Sequence, residues 1–176
     1  MKSLNFKDLL ARYQSGERQF QEVVITQADA FQCDLRDIKL SAAVIDNAYL
    51  PYSNLSRANL QDIVIKQGNL CDAKLSNSDL SRGQLSGVNL SRADLRYSCL
   101  RRANLINCNL TGADLTGADL TGADLTGTDL TGAELSNVQM HDTCLVGATL
   151  FRASNANIAE ARCDRTTVMP DGHYYP

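Results

Sequence analysis

The 176-residue sequence has no tryptophan, two histidines and only 6% aromatic residues. A core of interlocking rings is therefore excluded, yet 44% of the residues are hydrophobic, so the core must be narrow and built from small aliphatic side chains. His141 and His173 are the only imidazoles, and no serine has a histidine nearby to act as its base, so a nucleophilic triad has no candidates. None of the six cysteines stands in CxxC spacing, which argues against a zinc site. The glycines form neither GxGxxG nor a phosphate-binding loop, and the nine-residue Gly/Asp pattern of calcium-binding β-helix repeats is missing. No long loops are available to wall a pocket. No apolar run is long enough to cross a membrane, and the opening MKSLNFKDLLARYQSGE is charged throughout, unlike a signal peptide. With net charge −3 and pI 5.3 the chain does not read as a general nucleic-acid binder. These absences leave no catalytic residue, no cofactor-binding residue and no metal ligand to name. The expectation is a cytoplasmic, non-enzymatic protein without cofactors, one domain by size.

What the sequence has is a period. Thr111–Leu135 reads TGADL, TGADL, TGADL, TGTDL, TGAEL. The frame runs back through Leu110, Leu100, Leu90 and Leu70 to Leu35, and forward through Met140 and Leu145 to Leu150. A period of five matches neither the 3.6 of a helix nor the 2 of a strand. One side can hold every leucine only if the chain turns a corner each five residues, as in a solenoid. Each leucine (position i) and the small residue two before it (i−2) then point inward, while i−1, i+1 and i+2 face water. The only Val-Ile pairs, Val24-Ile25, Val44-Ile45 and Val64-Ile65, recur at twenty residues. Four segments therefore close one square coil, and residues i and i+20 stack. About six and a half coils at the roughly 4.8 Å strand spacing give a rod on the order of 30 Å long.

The A(D/N)LXX motif so repeated resembles that of the pentapeptide-repeat family over roughly residues 20–153, and LLARYQSGERQF resembles the leader of its cyanobacterial members. The resemblance implies a right-handed quadrilateral β-helix, an all-β solenoid with stacked Leu or Phe inside. The expected organisation is a capping helix within residues 1–19, the β-helix over 20–153, and an irregular last coil and tail over 154–176. Ser3 is a fair N-cap for a helix over 3–15, and Gly16 can end it. After Leu150 the frame slips. Ile158, Cys163 and Val168 resume it with about three extra residues, which predicts a bulge.

Three sets of residues stand out against the repeat. Val24, Val44 and Val64 stack at the outward i−1 position, with Tyr49 and Tyr52 on the next face round. They form either a candidate interface or a face that merely favours sheet. Arg82, Arg92, Arg101 and Arg102, with Arg96 and Tyr97 among them, form either a candidate anion patch or a solvated surface balanced by nearby acids. Cys33 and Cys108 take the small inward slot. Cys144 and Cys163 are a candidate disulfide across one coil, the alternative being reduced thiols throughout. The five acids of the TGADL run fall on successive faces, so they ring the rod. Two function classes follow. One is an interaction or scaffold module, monomeric or weakly dimeric, binding an unidentified protein partner and neither membrane nor nucleic acid directly. The alternative comes from the resemblance: a DNA-mimic modulator of a type II topoisomerase (gyrase), which would need a more continuous negative surface than this rod offers.

Overall fold

The computed structural model describes residues 1–176. The chain opens with strand β1 (Lys2–Asn5) and helix α1 (Phe6–Gln14), followed by β2 (Val23–Thr26), β3 (Val44–Asp46) and β4 (Val64–Lys66). These strands form one parallel sheet in the order β1-β2-β3-β4, pairing residues twenty apart from β2 onward. Outside them the same twenty-residue pairing runs as parallel bridges, from Gln19↔Lys39 to Glu134↔Ser154. Of 117 backbone hydrogen bonds, 104 lie outside the helix and named strands, so the coil-to-coil ladder is the main scaffold.

One segment shows how five residues turn a corner. Leu95 N donates to Asp114 O one coil on (2.8 Å), Tyr97 N to Thr116 O (2.9 Å), and Cys99 N to Ser78 O one coil back (2.9 Å). Ser98 N closes a turn on Leu95 O (3.1 Å). Tyr97, the third residue of that turn, has φ +57, the signature of a type II turn. Twenty-residue stacking gathers such left-handed i+2 residues into corner columns, with side chains as large as Tyr52 in one and Arg82 and Arg102 in another.

From Leu70 to Leu150 every fifth residue is at most 4% exposed. A leucine so buried contributes about 1.5–3 kcal/mol, and the columns run the length of the rod. Polar residues in the small inward slot return their hydroxyls to the ladder. Ser78 Oγ donates to Leu75 O in the same coil (2.6 Å), and Thr128 Oγ1 to Leu105 O in the coil before (2.6 Å). No buried side-chain polar atom is left without a partner. Bulk in this slot is matched along the stack: Ile63 lies over Gly83, and Val88 beside Gly68.

Two sequence readings are corrected. Ser3 does not cap the helix. It pairs with Val24 within β1, and Asn5 is the N-cap, its Oδ1 accepting from Lys7 N (2.8 Å). β1 adds Leu4 to the column of Ile25, so a strand and the buried Leu9 face of α1 together cover the first coil. Tyr13 fastens the helix, its hydroxyl donating to Arg36 O (2.9 Å) and its ring lying under the Arg18 guanidinium (3.8 Å).

The frame slip after Leu150 is a shortening, where three extra residues were expected. Leu130 N meets Thr149 O nineteen residues on, but Leu145 N meets Arg162 O and Leu150 N meets Val168 O, at seventeen and eighteen. Thr167 thereby takes the small inward slot and Val168 the outward one. Thr167 Oγ1 donates to Leu145 O (2.8 Å), a bond that valine could not make. At the break, Glu134 accepts from Ser136 N, Ser154 Oγ and Asn155 Nδ2 (2.9, 2.6 and 2.9 Å). The tail then folds back, with Tyr175 N on Thr167 O (2.8 Å).

Candidate interaction surfaces

The valines occupy successive strands in register, Val24↔Val44↔Val64, each half-buried. Serine precedes them in the column (Ser3) and glutamine follows (Gln84), so the apolar strip is three residues long. The shallow depression nearby is wholly polar, lined by Thr26, Gln27, Asp46, Asn47 and Gln67. β-Branching also accounts for the only regular strands in the coil body falling at these positions.

Tyr49 and Tyr52 lie on the adjacent wall, where they meet Phe31, which the repeat pattern does not single out. The Phe31 and Tyr49 rings are near-parallel at 6.3 Å between centroids, and Tyr52 stands edge-on to Phe31 at 5.9 Å. All three are about half exposed, at 46%, 46% and 50%. Phe31 follows inward Ala30, Tyr49 precedes inward Leu50 one coil on, and Tyr52 sits in the left-handed corner after it (φ +57). The signal that would have found Phe31 is its i+1 slot, which serine, threonine and other polar residues mostly fill. Asp72 lies beyond Tyr52 in the same corner column. Its carboxyl is held below the usual range first by Arg92, with the Tyr52 hydroxyl adding to the effect.

The arginines do not form one patch. Arg82 and Arg102 share a corner column, and with Arg101, Gln61, Asp79, Ser81 and Cys99 they line a shallow recess. Arg92 stands half a coil away, on the opposite corner. Two of the four are committed to carboxylates one coil back: Arg82 grips Asp62 through Nε and Nη2 (2.7 and 2.7 Å), and Arg92 grips Asp72 (2.9 and 2.6 Å). Arg57 and Asp37 repeat the device. Arg101 lies 3.7 Å from Asp119, and Arg102 has no carboxylate partner.

The acids and asparagines before each leucine do local work. Asp114, Asp119, Asp124 and Asp129 accept through Oδ1 from the backbone N–H two residues on, at 2.9–3.0 Å, and Asn54, Asn69 and Asn89 do the same at 3.0–3.1 Å. Asp or Asn recurs there because a short side-chain acceptor satisfies the corner's free donor.

All six cysteines are free. Cys144 stacks against Arg162, its Sγ 3.4 Å from Thr126 Oγ1, and Cys163 is half-buried, its thiol pushed up chiefly by burial. Cys108 fills the inward slot, donating to Leu85 O, and burial pushes its thiol up to about 11. Cys33 is only half-buried, lining a shallow depression with Leu10, Tyr13 and Gln14 of α1. His141 lies between Asp142 (3.3 Å) and Glu160 (3.6 Å). No three metal-ligating side chains converge, and no helix is long and apolar enough to cross a membrane.

The model of a repeat family described as "Pentapeptide repeats" matches in eight copies, over residues 53–92, 89–127 and 113–150. Among solved structures, the chain is similar to HetL from the cyanobacterium Nostoc sp. strain PCC 7120, described as involved in heterocyst differentiation regulation. Identity is 24%, with 98% of this chain and 100% of that one covered and a TM-score of 0.50. Rfr23 from the cyanobacterium Cyanothece 51142 is 22% identical over 90% and 96% (TM-score 0.36). The plasmid-mediated fluoroquinolone resistance protein QnrB1 is 21% identical over 86% and 77% (TM-score 0.43). At these identities the likeness speaks to the fold alone. No curated protein matches.

Proposed function

Since the chain belongs to the pentapeptide-repeat family, we propose that it is a non-enzymatic protein-interaction module, a rigid rod that presents side chains on its walls to a protein partner. The observation that carries this reading is the Phe31/Tyr49/Tyr52 cluster. Three half-exposed aromatics packed on one another form the kind of amphipathic anchor that interfaces favour and that a monomeric surface gains nothing from exposing. The wall beneath is fixed by the coil-to-coil ladder, so the rings are held ready for a partner at little ordering cost. Six free thiols favour a reducing compartment, in keeping with a cytoplasmic placement. The DNA-mimic alternative ranks second, because Arg57, Arg82 and Arg92 neutralise aspartates along the rod and interrupt any continuous negative surface.

The test compares two variants as bait in extract of the native host. One is Phe31→Ser/Tyr49→Ser/Tyr52→Asn; the other is Val24→Thr/Val44→Thr/Val64→Thr, which keeps β-branching. The aromatic variant is expected to lose the partner with its melting temperature nearly unchanged, while the valine variant keeps it. Retention by the aromatic variant together with loss by the valine variant would move the contact surface to the sheet face.

A further inference from the structure

We propose that the Phe31/Tyr49/Tyr52 cluster, with Asp29, receives an arginine side chain from a linear segment of a partner protein. The inference rests on the interaction reading above and names the chemistry of the occupant.

Size argues first. Half of three aromatic side chains of 150–250 Å² is roughly 300 Å². A stable homodimer buries about 800 Å² on each partner, so this patch is too small to hold two copies together and suits one or two anchors of a short segment. The wall adds no backbone adhesion. At Ala30, Gln32 and Tyr52 the amides already donate to the next coil, at 2.8–3.1 Å, so the segment cannot join as an extra strand and must be read through side chains.

Charge then selects the anchor. Arg36 is committed to Asp34 and Arg92 to Asp72, which neutralises those pairs. Asp29 has no cationic partner, and it stands beside Tyr49 in register. Its Oδ1 lies 3.4 Å from Phe31 N, the longest such contact in the coils, where the other turn-capping acids and asparagines lie at 2.9–3.3 Å, so its oxygens are less occupied by the corner. A carboxylate at the rim of aromatic faces suits a cation that can lie flat on a ring and bond sideways. The planar guanidinium does both, whereas the compact ammonium of lysine stacks poorly.

The test is an amide-resolved NMR titration of the ¹⁵N-labelled full chain with two blocked tetrapeptides, Ac-Gly-Arg-Leu-Gly-NH₂ and Ac-Gly-Glu-Leu-Gly-NH₂, and with cellopentaose. The arginine peptide is expected to shift residues 29–32 and 49–53 saturably, with the glutamate peptide inert. Asp29→Asn should weaken binding about threefold or more, the scale of one exposed charge contact, and Phe31→Ser should abolish it. Equal shifts from both peptides, no shifts from either, or shifts from cellopentaose alone would overturn the arginine assignment. If the aromatic variant loses its partner in host extract while the arginine peptide fails to bind, the interaction reading stands and only this occupant falls. If the peptide binds but extract capture ignores the aromatic variant, the interaction reading itself is at fault.

Discussion

Five near-identical repeats offer an internal experiment. Gly117 and Gly132 both occupy the i+2 corner, with φ +68 and +67, but a methyl group on Gly132 would meet nothing within 4 Å, while on Gly117 it would lie 2.6 Å from the Tyr97 ring. At Gly132 an alanine bears only the backbone term. The left-handed conformation costs about 1–2 kcal/mol, offset by about 0.4–1 kcal/mol from the stiffer unfolded chain, for a net of about 1 kcal/mol. At Gly117 the ring must also move. Tyr97 is 63% exposed, so about a third of its surface is buried. At about 200 Å² per ring and 25 cal/mol per Å², up to about 1.7 kcal/mol is at stake. Gly117→Ala should therefore cost about 2–3 kcal/mol and Gly132→Ala about 1 kcal/mol in urea unfolding followed by circular dichroism. In a Tyr97→Ala background the Gly117→Ala cost should fall to the Gly132 value. Equal costs at the two glycines, or a Gly117 cost indifferent to Tyr97, would refute the reasoning.

Other expectations follow from the same contacts. Leu100→Asp puts a charge at a site with 0% exposure and should unfold the central coils, a loss of several kcal/mol, whereas Asp119→Ala removes one turn-capping acceptor and should cost about 1 kcal/mol; comparable losses would contradict the inward/outward frame. Glu134 is held down at about 2 from an ordinary 4.5 by Ser136, Ser154 and Asn155. A carboxyl depressed in the folded state stabilises fully above its unfolded value and loses that contribution as pH falls from 4.5 toward 2. The melting difference between the parent and Glu134→Gln should thus be constant near neutrality and shrink through that window; a pH-independent difference would remove the role. Thiol titration of denatured, unreduced protein from a reducing cytosol should find all six cysteines, with Cys108 the slowest to react in the native state; a missing Cys144–Cys163 pair would contradict the free thiols.

The architecture was legible because one rule acts on every segment: inward leucines five apart, coils of twenty fixed by Val24, Val44 and Val64. Local capping was not, because it depends on competition between neighbours. Ser3 looks like a cap, but once Leu4 joins the Ile25 column the strand claims Ser3, and Asn5 becomes the first residue free to cap. The end of the rod misled for a similar reason. Val168 is the more apolar residue, yet Thr167 turns inward, where its hydroxyl finds Leu145 O. Of the surface sets, the arginines split because a ten-residue offset is half a coil, which the period itself could have told. The aromatic cluster stayed hidden because Phe31 is eighteen residues from Tyr49 and twenty-one from Tyr52, offsets that mean contact only when the i+1 slot of one coil is laid against the i−1 and i+2 slots of the next.

Contact with a protein partner through the Phe31/Tyr49/Tyr52 wall is the proposed mode of action. Site-specific incorporation of a photo-crosslinking benzoylphenylalanine at Tyr49, with the equally aromatic and more exposed Tyr97 as control, tests it in the native host. A discrete adduct from position 49 that is lost with Phe31→Ser, and none from position 97, is the predicted result. Adducts from position 97 alone, or alike from both, would contradict it.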